Sequence, residues 1–217
     1  METPRDAVEA TLAMIAAALA GEGFALKPGL KIKRVDGDYT DVIRTQTSVW
    51  NRTDTQAWFT LTAVIESGRF GRFLKARWPD RPANVSRHDR FVTSRQLKKP
   101  GTNLTCRWDA ILPGDRAAIA EEATGNIRTQ ILPWFAAMRD PLAVVRQIPG
   151  PFAGTRLLHY ALANGLEREM RAHLVEVSQK VPAFGEAMAR MKAGTMDRRP
   201  GNSFDEIALR AIELGLA

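Results

Sequence analysis

The residues of this chain that could do chemistry are few, and their spacing is uninformative. The three histidines, His88, His159 and His173, match no metal-ligating or catalytic motif. His159 and His173 fall on predicted helices and could meet in space, with Glu167 or Glu169 adding a carboxylate to a metal site. A hydrogen-bonded or partly exposed ring is the ordinary alternative. Cys106 is the single cysteine, so no internal disulfide can form. It sits on the inward side of an alternating stretch, where a thiol packs as a small hydrophobe rather than acting as a nucleophile. Ser-Gly-Arg-Phe-Gly-Arg at 67–72 is glycine-spaced but lacks a phosphate-loop fingerprint. The acidic pairs Asp36/Asp38 and Glu121/Glu122 belong to a turn and to adjacent helix positions, so neither forms a general acid and base facing a substrate. Trp134-Phe135 could face a ligand, but large aromatics beside Pro133 more often complete a core. No catalytic residue, metal ligand or cofactor is assigned.

Charge is the sharper signal. From Arg69 to Lys99 there are ten basic residues against two acidic ones, a larger excess than the net +7 of the whole chain. Phe70, Phe73, Trp78 and Phe91 interleave with these cations, a pattern that suits stacking on bases or insertion into a groove. A long solvated connection whose aromatics anchor it to the core gives the same pattern without a partner, and that reading is preferred in the absence of a recognised nucleic-acid motif. The 217 residues are 45% hydrophobic and 25% charged. That composition excludes collagen, low-complexity disorder and a disulfide scaffold. No apolar run is long enough to cross a bilayer, and the first 22 residues carry Arg5, Asp6, Glu9 and Glu22, unlike a secretory signal. A soluble, cytoplasmic protein without membrane contact is expected.

These residues must be positioned by elements whose period changes along the chain. Thr3-Pro4-Arg5-Asp6 starts a helix with Val8, Leu12, Ile15 and Leu19 on one face, closed by Gly21 and Gly23. Leu30–Val35 and Thr40–Val49 read as strands joined through an Asp36-Gly37-Asp38 turn. In the second, Ile43, Thr45, Thr47 and Val49 alternate with Val42, Arg44, Gln46 and Ser48, as a strand with one buried face should. A polar loop follows, then a returning strand over Trp58–Glu66 ended by Gly68 and Gly71. Between Arg69 and Pro100 the pattern is too broken for regular structure until Phe91–Leu97, a short edge strand with Arg95 outward. A strand with Leu104, Cys106, Trp108 and Ala110 inward comes next. Ile119, Ala123, Ile127 and Ile131 mark a helix that Pro133 stops or kinks. Asp140-Pro141 caps a short helix, and Pro149-Gly150-Pro151 forms a rigid break. Beyond it, helices are predicted over 152–164, 166–181 and 183–193, then a polar linker over 194–202 and a last helix from the Ser203 capping box to Gly215.

In order and spacing, several of these residues resemble a bacterial family known as domain of unknown function four-three-zero-four. An amphipathic helix leads to Gly23-Phe24, and a strand carries Arg34. The next strand holds Gln46-x-Ser48, followed by Asn51. Phe59 opens the returning strand, and Trp108 precedes a helix ending Leu132-Pro133-Trp134-Phe135. The likeness covers residues 5 to 148. It implies an α+β domain with a mostly antiparallel sheet, no assigned catalytic residue, and for some members an interaction or immunity-type role.

The expected architecture is α+β: a mostly antiparallel sheet flanked by an N-terminal helix and later helices over 1–148, with a helical extension over 149–217. The expected function is a non-enzymatic binding module. Its contact surface would be Arg44, Gln46 and Ser48 on a polar strand face, with Arg72, Arg77 and Arg95 from the adjoining basic loop. The alternative is nucleic-acid binding through residues 69–99. A third class is a hydrolase or metal enzyme using His159, His173 or Cys106. The C-terminal helices could also serve as a homo-oligomerisation surface.

Overall fold

The computed structural model describes residues 2–53, 55–80, 88–148, 155–195 and 203–217. The predicted Pro149-Gly150-Pro151 break and most of the polar linker lie outside these residues. The chain divides into two units: residues 1–68 with 94–136, and residues 69–93 with 137–217.

The first unit begins with α1 (Pro4–Ala18), whose start follows from its sequence. Thr3 accepts from the Asp6 amide while the Asp6 carboxylate accepts from Thr3, a capping box with proline in the first turn. After a short 3₁₀ turn come β1 (Ala25–Lys27), β2 (Lys31–Asp36), β3 (Tyr39–Thr47) and β4 (Trp58–Ser67). They form an antiparallel sheet in the order β1-β2-β3-β4-β5, with β6 (Trp108–Asp109) also paired to β4. The fifth strand, β5 (Phe91–Gln96), enters this unit at Ser94. Gly37, with φ +58°, closes the predicted β2–β3 turn and sets Asp36 opposite Tyr39. That register aligns Ile32, Ile43 and Ala63 on one sheet face, each no more than 1% exposed. α1 packs on β1, β2 and β4, and also on α3 (Arg116–Asn126). Its Val8, Leu12 and Ile15 are fully buried, worth roughly 1.5–3 kcal/mol each against exposure.

The predicted helix does not stop at Pro133. The backbone widens into a π segment at Ile127–Ile131 and continues as α4 (Leu132–Ala137). Proline lacks an N–H and its ring crowds the carbonyl four residues back, and a π turn accommodates such a residue without ending the helix. Trp134 and Phe135 are buried here, as a core reading requires.

Three local expectations are corrected. β3 ends at Thr47 rather than Val49, and its burial does not alternate cleanly: Thr40–Ile43 are buried on both faces and Val49 is 90% exposed. The Ser48 hydroxyl accepts from the Trp50 amide at 3.1 Å and turns the chain away before Val49 can point inward. The stretch from Leu104 is a strand only at β6. Leu104 is 65% exposed, while Cys106, Trp108 and Ala110 are buried as expected. β1 was not foreseen, because three residues between Gly23-Phe24 and Pro28-Gly29 are too short for a period to show.

In the second unit the segment after β4 is regular. Gly68–Arg77 form α2, with Phe70 and Leu74 buried one turn apart. Gly71 lies inside this helix instead of ending the strand. A Cβ there would stand 2.8 Å from Arg90 Cγ, so glycine is what allows Arg90 to cross. Two glycines and high polarity hid the helix from a pattern reading. Phe70 is fully buried, edge-on to Tyr160 at 5.4 Å, and Trp78 lies edge-on to His159 at 4.9 Å. Phe70 is therefore committed to an internal contact, while Trp78 stays partly exposed. The remaining helices are α5 (Pro141–Val145), capped by Asp140, then α6 (Arg156–Ala163), α7 (Glu167–Lys180), α8 (Pro182–Lys192) and α9 (Ser203–Glu213). No helix among the described residues is long and apolar enough to cross a membrane.

Candidate functional site

Two of the six predicted contact residues, Gln46 and Ser48, converge at one end of the first unit's sheet. Gln46 pairs with Thr60 across β3–β4, and the Ser48 amide donates to the Trp58 carbonyl at 3.1 Å. All four belong to the same pleat face. Arg107 adds its guanidinium over the Trp58 ring at 4.0 Å, and these side chains line a shallow cleft of about 150 Å³. A larger cleft of about 490 Å³ is lined by Arg5, Leu30, Thr47, Ser48 and Asn51. Leu30 is the one non-glycine among the described residues with positive φ, +55°.

Ser48 and Asn51 belong to both the cleft wall and the loop that joins β3 to β4. The loop is fixed by its own polar groups. The Asn51 amide nitrogen donates to the Trp58 carbonyl at 2.9 Å, and the Asn51 amide oxygen accepts from the Trp58 N–H at 2.8 Å. Arg52 and Gln56 pair as an antiparallel bridge, and the Gln56 side chain donates to the Trp50 carbonyl. At the base, Asp109 accepts from the Ala57 amide and the Trp58 indole N–H, both at 2.8 Å. This frame presents Val49, 90% exposed, and Trp50, 70% exposed, to solvent. Its carboxylate accepts from backbone and indole N–H groups and its amides pair with backbone N–H and carbonyl groups, which leaves the tip apolar and the rim polar.

The other predicted residues lie elsewhere or are already engaged. Arg44 is half-buried and pairs with Glu66 at 2.9 Å, although its Nε is buried without a hydrogen-bond partner. Arg95 is exposed on β5. Arg72 and Arg77 are on α2 in the second unit, with Arg77 stacked on Trp78 at 5.6 Å. Arg69, Arg72 and Arg90 each have partners, so the basic segment is not a row of free cations. Arg81 and Arg87 lie outside the described residues. The histidines are apart in their contacts: His159 packs on Trp78, and the His173 Nε2 is 2.8 Å from the Ile148 carbonyl. Among the described residues no three histidine, cysteine or acidic side chains are grouped to hold a metal ion. Burial pushes the Cys106 thiol up, and Asn126 Nδ2 donates to its sulfur at 3.9 Å.

The loop and sheet belong to a stretch with recognisable relatives. The family described as Domain of unknown function (DUF4304) matches residues 15–137, more than half of the chain. The chain belongs to the DUF4304 family. No curated protein and no solved structure matches it. Several residues that carry the sequence likeness have structural work in the DUF4304 region. Arg34 donates through Nε and Nη2 to the fully buried Asp41 carboxylate at 3.0 and 2.7 Å, and its guanidinium lies 4.6 Å over Phe24. Phe24 stacks on Phe135, and Phe59 meets Trp108 at 5.5 Å. Gly23 turns with φ +83° under the Arg34 chain. Asn51 locks the loop. Trp50 and Arg107 escaped the sequence reading because nothing local separates a presented tryptophan from a buried one. The turn-forming Ser48-x-Trp50-Asn51 run was the available signal.

Proposed function

We propose that this DUF4304 protein is a non-enzymatic binding module that captures a protein partner through the Val49–Trp50 tip, with Gln46, Ser48 and Arg107 as its polar rim. The observation that carries this reading is a tryptophan held 70% exposed on a loop whose turn is closed by side-chain hydrogen bonds. An ordered loop has already met most of the entropic cost of docking, and tryptophan and arginine are the residues most enriched among those that dominate binding energy. An apolar tip within a polar rim is the usual anatomy of an interface.

The test is partner capture from the native host with Trp50→Ala and Val49→Asp. The control is Val35→Asp, which is 75% exposed on β2. The expected result is a loss of capture of tenfold or more, since truncating a central tryptophan costs about 2 kcal/mol or more, with unchanged circular dichroism. Equal capture by wild type and both tip variants would overturn the reading, as would equal loss in the control. The second reading, nucleic-acid binding, is supported by the exposed cations Lys75, Arg77, Arg95 and Lys99. It predicts binding of labelled oligonucleotides that weakens by orders of magnitude with salt and disappears on charge reversal of Arg72 and Arg77.

A further inference from the structure

A further cleft, independent of the tip, lies within the second unit between α7 and α8. The two helices are joined by Val181 alone and touch where Gly185 meets Ser178: a Cβ on Gly185 would stand 2.5 Å from the Ser178 carbonyl oxygen. From that crossing Leu174 and Val175 follow one face of α7, and Met188 and Ala189 follow one face of α8, at the helical spacings of three and four residues. Leu216 completes the floor. The left-handed Gly215, φ +68°, turns the chain after α9 so that the Leu216 amide donates back to Ala211 at 2.8 Å. The groove is open to solvent along its length and has a volume of about 540 Å³. Leu174 and Leu216 are 1% exposed and Met188 7%, whereas Val175 is 59% exposed at the lip.

Charge enters this cleft through two side chains, beside the exposed Gln179 and Ala217. Arg171 and Lys192 line it, each seven residues from the crossing and so about 10 Å along its helix axis. Among the described residues neither side chain has an ion-pair or hydrogen-bond partner, in contrast to Lys180, Arg190 and Arg210 on the same helices and on α9. An apolar channel two helical turns long with uncompensated cations at the end away from its crossing is complementary to a linear monoanion with an alkyl tail. A neutral apolar solute would leave the cations unused, a zwitterion would bring a further positive group among them, and a partner helix would need a longer stripe of anchors.

We propose that this cleft binds a medium-chain fatty carboxylate. The tail lies along Leu174, Val175, Met188 and Leu216 toward the Ser178–Gly185 crossing, and the carboxylate meets Arg171 and Lys192.

The experiment is calorimetric titration of the full chain with hexanoate, octanoate, decanoate and dodecanoate, each below its micellar concentration, with decanol as the uncharged probe. Affinity should rise about fourfold for each methylene added, the factor expected for its burial, and level off once the tail exceeds the channel. The double variant Arg171→Glu/Lys192→Glu should weaken decanoate at least tenfold while leaving decanol unchanged. Val175→Asp should weaken both, and all three positions are solvent-facing enough for the variants to fold. Absence of decanoate binding, a flat chain-length series, or wild-type affinity in the double variant would overturn the proposal. So would sedimentation with phosphatidylcholine–phosphatidylglycerol vesicles without binding of soluble decanoate, which would make the cleft a membrane-contact site. A homodimer in light scattering that Val175→Asp dissociates and decanoate leaves intact would overturn it in favour of a second copy of this chain.

Discussion

Replacing Arg34 with alanine tests whether the residues shared with the family are there to hold the fold. Asp41 is 0% exposed and Arg34 only 25%, so the variant would leave a carboxylate buried without the cation it pairs with at 2.7 Å. Removing one partner of a buried pair costs about 3–5 kcal/mol. The lower end applies, because Arg34 is partly solvated and Asp41 has a further interaction of its own. The variant also loses the Glu22 carbonyl as an acceptor and the stacking on Phe24, adding about 1 kcal/mol. With a urea slope of about 1.5 kcal/mol per molar, a total loss of about 3–4 kcal/mol lowers the unfolding midpoint by about 2 M. Tryptophan fluorescence is a fitting probe, since Trp50, Trp58, Trp108 and Trp134 all lie in the first unit. Arg34→Lys keeps the charge but loses the two-donor fork, and should cost about half as much. A cycle with Asp41→Asn should return a coupling of about 2 kcal/mol. A loss below about 1 kcal/mol for Arg34→Ala, the range of a surface pair, would refute the argument.

Three further outcomes follow from the same structure. Gly185→Ala should lower the melting temperature measured by circular dichroism: the contact with the Ser178 carbonyl costs about 1–3 kcal/mol, more than the roughly 1 kcal/mol gained in helix propensity, and a more stable variant would contradict the close crossing. The Arg116 hydrogen bonds hold the Glu2 carboxyl below its ordinary value. Its contribution is therefore complete above the unfolded value of about 4.3 and is lost as pH falls through the folded one, so Glu2→Gln should flatten the acid limb of a stability profile, and an unchanged limb would count against the pair. Cys106, 2% exposed with its thiol pushed up by burial, should react with a thiol reagent only as fast as the protein opens. Rapid labelling under native conditions would show the thiol to be accessible.

The alternation of apolar residues, the Thr3-Asp6 box, the Asp36-Gly37 turn and the Asp140-Pro141 cap were enough to set the α+β class and most element positions, because each depends on neighbours a few residues away. Gln46 and Ser48 could be placed on one strand face by parity alone. The rest depended on residues far apart in sequence. That Arg44 pairs with Glu66, 22 positions on, is visible only in the folded chain. Phe70 looked able to stack on bases until Tyr160 covered it. α2 was hidden because its glycine exists for Arg90 to cross, and Val49 was assigned inward because the turn begun by Ser48 is invisible to a period of two. Trp50 was passed over for the converse reason. A loop tryptophan is buried or presented according to the hydrogen bonds among Asn51, Gln56 and Trp58 that fix the chain around it. Local sequence determines which conformations are inexpensive, whereas exposure is a property of what the rest of the chain leaves uncovered, and here only the tertiary structure decided it.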